Sequence, residues 1–83
     1  MNSIRQTIID TMAQVQADRG QTLATPQDSD TLTRTLGFDS LDLAVIVIRL
    51  EQQLTCDPFR DGRPFVATFG ELVALYEQAG ADA

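Results

Sequence analysis

The sequence predicts an all-α fold: a small helical bundle of three main helices plus one or two short ones, with a long first loop. Two observations carry this. Apolar residues recur at helical spacing in three separate segments, and each segment opens on a residue suited to cap a helix. The length of 83 residues allows one domain, taken as residues 1–83, and a modest core.

The first segment places Ile4, Ile8, Met12 and Val15 on one face of a helix. Ser3 is its cap, Gln6 completes a capping-box pattern, and Gly20 is a natural stop. From Gln21 to Asp39 the periodicity fails, and Thr25 to Thr31 is rich in turn formers. A connection this long in a small domain points to function or to a missed element. Leu23, Leu32 and Leu36 are spaced to pin it to the core, and Thr31 to Leu36 is expected to form a short helical turn.

The strongest helix signal runs from Ser40 to Leu54, with Asp39 as cap and no Gly or Pro inside. Leu43, Ile46, Val47, Leu50 and Leu54 form a core stripe, while Leu41, Ala44, Val45 and Ile48 form a second apolar group on another side. The β-branched run Val45–Ile48 also suits a strand. Length and the cap favour helix. Asp57-Pro58 and Asp61-Gly62 mark a loop, and Pro64-Phe65-Val66 is a candidate short helix. Phe59 and Phe65 read as core anchors. The last helix has Thr68 as cap, Glu71 as the box partner, Phe69, Leu72, Val73 and Tyr76 as its apolar face, and Gly80 as its end.

Composition excludes several function classes. Six arginines, no lysine, twelve acidic residues and no histidine give a formal net charge of −6. That argues against nucleic acid, whose phosphates need clustered cations, and favours a basic partner surface. Without His or Lys there is no Ser-His or Cys-His pair, no Schiff base and no imidazole metal ligand. The single cysteine, Cys56, excludes an internal disulfide and reads as a buried small residue. No apolar run approaches the roughly 18 residues of a membrane span, and the first residues lack a signal-peptide pattern. The expectation is a cytoplasmic protein with no membrane insertion. Asp28, Asp30 and Asp39 fall at positions of a calcium loop, but Leu32 and Thr33 break that frame.

The informative string is Leu36-Gly37-Phe38-Asp39-Ser40-Leu41-Asp42. Gly37 permits an unusual turn, Asp39 caps, and Ser40 lies in the first helical turn at the end of a long loop. Self-contained catalysis by Ser40 is disfavoured for want of a base. A helix N-terminus favours a phosphoryl group there, whereas Asp39 and Asp42 oppose it. Read from the residues alone, Ser40 is first of all a helix-start residue.

The string resembles the Gly-x-Asp-Ser-Leu signature of acyl carrier proteins, and the helix and loop pattern extends the resemblance over nearly the whole chain. The resemblance implies that Ser40 is esterified to 4′-phosphopantetheine from coenzyme A, whose thiol holds acyl or aminoacyl groups as thioesters. The protein would then be no enzyme. Its partners would be a phosphopantetheinyl transferase, an acyl- or aminoacyl-loading ligase and downstream transferases, docking at Asp39, Leu41, Asp42, Ala44, Val45, Ile48 and Arg49.

Many fatty-acid carriers have glutamate where this chain has Val45, and from Asp39 to Leu54 the chain holds three acids and one arginine. That points to a more apolar docking face and a specialised pathway. Some carriers bury their cargo between the helices, here near Ile46, Val47 and Phe69, although plain packing explains each of these residues. The alternatives are a peptidyl or aminoacyl carrier of a secondary-metabolite or polysaccharide pathway, and an unmodified protein–protein adaptor. A monomer is expected, with the second apolar face of the long helix able to support a weak dimer.

Overall fold

A computed structural model describes residues 3–59 and 65–81 of the chain. Three helices form a small all-helical protein: α1 (Ile4–Asp18), α2 (Ser40–Leu54) and α3 (Phe69–Ala81). No strand occurs among the described residues; one isolated antiparallel bridge joins Thr31 to Thr68.

α1 starts where Ser3 accepts the Gln6 N–H at 3.1 Å. The reciprocal half of that box is not made, because the Gln6 amide turns instead to Asp10, 2.8 Å away. The helix ends as expected at Gly20, whose φ of +76° closes the turn. The Gln21 and Gly20 N–H groups reach back to the Gln16 and Ala17 carbonyls at 2.8 and 2.9 Å, the pairing of a left-handed helix stop. α3 begins at the predicted box: the Glu71 N–H donates to Thr68 Oγ1 and the Thr68 N–H to Glu71 Oε1, both at 3.2 Å. It continues through Gly80 to Ala81, so Gly80 does not end it.

The core comes from the faces read in the sequence, with loop residues added. Ile8, Met12 and Val15 of α1, Ile46 and Leu50 of α2, and Phe69, Leu72, Val73 and Tyr76 of α3 are buried together with Leu32 and Phe38. Full burial of an aliphatic or aromatic side chain contributes about 1.5–3 kcal/mol, so the two loop residues matter in a core this small. α1 packs against both other helices, whereas α2 and α3 share little direct contact.

The long connection is tied to the start of α3 by backbone bonds. The Leu32 N–H donates to the Ala67 carbonyl at 3.0 Å, Phe69 to Asp30 at 2.9 Å and Gly70 to Asp28 at 3.0 Å. The last two satisfy helix-start donors that have no partner within α3. They also bring the chains so close that a Cβ on Gly70 would sit 2.9 Å from the Asp28 Cβ. Residues 32–35 form hydrogen-bonded turns, with the Thr35 and Leu36 N–H groups both on the Thr31 carbonyl, and not the expected short helix. Phe65 and Val66 are not helical; Pro64 and the Asp61-Gly62 turn lie outside the described residues. None of the three helices is long and apolar enough to cross a membrane.

Candidate functional site

Ser40 is exposed because the residues on both sides of it are held. The Gln16 side chain, buried on α1, donates to the Leu36 carbonyl at 2.9 Å. Gly37 has φ +78°, a conformation that L side chains resist. Phe38 then turns into the core, 1% exposed, and its N–H bonds the Leu32 carbonyl at 3.0 Å. Asp39 is extended and caps α2, accepting the Asp42 N–H at 2.8 Å. Asp42 returns the contact, taking the Asp39 N–H at 3.2 Å to complete a capping box. Ser40 is left at the first helical position with its side chain toward solvent.

The electrostatics of this turn involve more than its two acids. The Asp42 N–H holds the Asp39 carboxyl below its ordinary value; burial opposes it as the next largest influence, and the Asp42 side chain and the Arg19 charge add to the lowering. Arg19, the C-cap of α1, forms an ion pair with Asp42. Its position could not be read from the sequence, because it lies 23 residues from Asp42.

The seven residues expected to dock partners divide into two groups. Leu41 (72% exposed), Ala44 and Ile48 (55%) form the open apolar surface beside Ser40. The others have internal roles. Val45 is half-buried against the core, which corrects its placement on the open patch. Asp39 and Asp42 form the capping box, and Arg49 pairs with Asp18 of α1 at 3.2 Å. Arg49 and Asp18 thus tie α2 to α1, as does the bond from the Gln53 amide to Thr11 Oγ1 at 2.9 Å.

An apolar groove of about 460 Å³ starts at Ser40 and runs along α2. Ser40, Leu43, Ala44, Val47, Ile48, Phe59 and Phe65 line it. The rings of Phe59 and Phe65 stack with centroids 4.8 Å apart and planes 10° apart, and Phe59 meets Tyr76 edge-on at 6.2 Å. Phe65 is 40% exposed, so it is a groove wall and not the expected core anchor. Of the three residues named as a cargo environment, Ile46 and Phe69 are sealed in the core and only Val47 faces open space. The groove could not be read from the sequence because it joins α2 to Phe59 and Phe65, which lie beyond the end of the helix and outside its repeat.

The remaining candidates have other roles. Asp28 pairs with Arg5 at 2.8 Å, and Arg5 also lies over the Phe69 ring, 5.3 Å from its centroid. Asp30 accepts the Gln27 N–H at 2.8 Å and Asp39 caps α2, so the three acids of the calcium frame serve three different contacts. Cys56 is half-buried, and burial followed by the Asp57 charge pushes its thiol up. This disfavours the thiolate that a reactive cysteine needs. Burial likewise raises the Tyr76 phenol well above its ordinary value, with the Cys56, Asp57 and Glu51 charges adding to it. Comparison of the chain with family models, curated proteins and solved structures finds no match, so the site is read from its own residues.

Proposed function

We propose that the chain is a discrete carrier protein, bearing 4′-phosphopantetheine on Ser40 and presenting acyl or aminoacyl groups to partner enzymes. The observation that carries this reading is an exposed serine at the first turn of α2, in the Gly37-Phe38-Asp39-Ser40-Leu41 string, at the head of an apolar groove. A group attached there lies beside both the groove and the open Leu41, Ala44 and Ile48 surface.

The residues fit a phosphodiester at this position. The start of a 15-residue helix favours an anion. The Asp39 and Asp42 charges work against it, but the Arg19 guanidinium pairs with Asp42 and offsets part of that cost. In the attachment, the Ser40 hydroxyl oxygen bonds to the phosphorus bearing the pantetheine in coenzyme A, adenosine 3′,5′-bisphosphate leaves, and the serine proton passes to a base of the transferase. The chain has no His or Lys to serve as that base. The bound arm supplies a thiol that forms thioesters.

The partners under this reading are a phosphopantetheinyl transferase, a ligase that loads the arm and transferases that unload it, in the cytoplasm. With Arg49 and Asp42 committed to α1, docking relies on Leu41, Ala44 and Ile48 more than on charge. That fits a specialised carrier of the acyl or peptidyl type. The test is labelling with a fluorescent coenzyme A conjugate and a broad-specificity transferase. Fluorescence on the wild-type chain and none on Ser40→Ala is the expected result. An unlabelled, folded wild-type chain with several transferases would overturn the reading.

A second reading has its own observation. Leu41 and Ile48 are large, apolar and more than half exposed on one helix, as in an adaptor that needs no modification. Unchanged partner capture by Ser40→Ala would favour it.

A further inference from the structure

We infer that Arg19 is a positioning residue for Ser40: with Gln16 it latches the Gly37–Asp42 turn onto the end of α1 and so fixes the direction in which the serine is presented. The consequence for modification rests on the carrier reading; the latch itself does not.

Gln16 and Arg19 lie three residues apart, on one face of the end of α1. Gln16 Nε2 donates to the Leu36 carbonyl at 2.9 Å, and Arg19 Nη1 reaches the Gly37 carbonyl at 3.4 Å. Two neighbouring side chains thus hold two consecutive loop carbonyls just before the cap of α2. The same Arg19 nitrogen pairs with Asp42 Oδ2, the oxygen that also accepts the Asp39 N–H at 3.2 Å. One carboxylate oxygen therefore links α1 to the capping box that encloses Ser40.

The Arg19 and Arg49 side chains are similarly exposed, 37% and 36%, and the two pairs differ in their acids. The Asp42 side chain is 14% exposed, against 67% for Asp18 in the Arg49 pair. Exposed pairs contribute little because water screens them and their side chains stay mobile. Arg19 is anchored as well: its own N–H bonds the Gln16 carbonyl at 3.0 Å, and Gly20 follows in the left-handed turn. Its charge also lies at a helix C-terminus, where a cation is favoured. Gly37 lets the carbonyl of a left-handed residue face α1, which gives the motif glycine a second use beyond the turn.

The test reads amide hydrogen exchange and transferase kcat/KM together, in the wild type, Arg19→Gln, Arg19→Lys, Asp42→Asn, the Arg19→Gln/Asp42→Asn double variant and Arg5→Gln. In Arg19→Gln, exchange at the Asp39 and Asp42 amides should rise about fivefold, the scale of a coupled pair, while Leu72 and Val73 in α3 stay unchanged. kcat/KM for Ser40 modification should fall by a similar factor, Arg19→Lys should recover most of it, and Arg5→Gln, which removes the exposed pair with Asp28, should change neither. Asp42→Asn should match Arg19→Gln, and the double variant should be no worse than either.

Unchanged exchange in Arg19→Gln, or a rise spread equally into α3, would overturn the latch. Faster exchange with an unchanged modification rate would overturn the positioning role. A rate loss in Arg19→Gln without one in Asp42→Asn would also overturn it, in favour of direct contact between Arg19 and the transferase. If the wild-type chain takes no group at all, the carrier reading fails and the exchange data still decide the latch.

Discussion

The starts of α2 and α3 use the same local device and put it to opposite uses. Each has an acidic residue three positions after the cap returning a bond to it: Asp42 to Asp39, and Glu71 to Thr68. At α3 the next residue, Phe69, is fully buried, and the Phe69 and Gly70 N–H groups are taken by the Asp30 and Asp28 carbonyls. At α2 the corresponding residue is Ser40, exposed to solvent, and side chains of α1 hold the preceding loop. A capping box sets where a helix begins. Whether that beginning is sealed or left open to solvent depends on what the rest of the chain lays over it.

The largest expected contrast is between the two first helical positions. Phe69→Ala should cost about 3–5 kcal/mol in urea denaturation, much of the stability of a small domain. Ser40→Ala should stay within about 0.5 kcal/mol of wild type. A Ser40→Ala domain as damaged as Phe69→Ala would make the two starts alike.

Next in size is the second position. Gly70→Ala drives a Cβ to within 2.9 Å of the Asp28 Cβ and should cost about 1–3 kcal/mol. Leu41, 72% exposed at the matching place in α2, should tolerate Ala with no loss of melting temperature.

The caps themselves come next. Thr68→Ala should cost about 1 kcal/mol. At Asp39 the comparison is sharpened by pH. Its carboxyl lies below its ordinary value of 3.8 when folded. Its stabilisation is therefore full above that ordinary value and lost as the pH falls through the lower folded one. Asp39→Asn keeps a capping oxygen without the charge. The advantage of wild type over this variant, read as melting temperature across a pH series, should be largest near neutrality and shrink in acid. An advantage that grows in acid would contradict the assigned shift.

Much of this was legible in the sequence because it is local. Helical spacing located α1 and α2, and Ser3, Asp39 and Thr68 are caps in both readings. Exposure of Ser40 follows from its place in the first helical turn after a long loop, and that of Leu41, Ala44 and Ile48 from the completeness of the opposite stripe. What was hidden depends on distant parts of the chain. Arg19, Gln16 and the Asp28–Asp30 carbonyls meet partners brought close only by folding. Val45 and Phe65 exchanged expected roles because face assignment by spacing does not show which neighbours close over a face. Phe38 carried a usable signal, a large aromatic between Gly37 and Asp39 in a polar loop, the mark of a loop pinned to the core.

The central claim is that Ser40 is an attachment point. Its most direct test is the intact mass of the chain after incubation with coenzyme A, magnesium and a phosphopantetheinyl transferase, with fragmentation to locate any added group. The account predicts one added phosphopantetheine, on the peptide containing Ser40, and none on Ser40→Ala. An unmodified mass on folded protein, or addition at another residue, would contradict it.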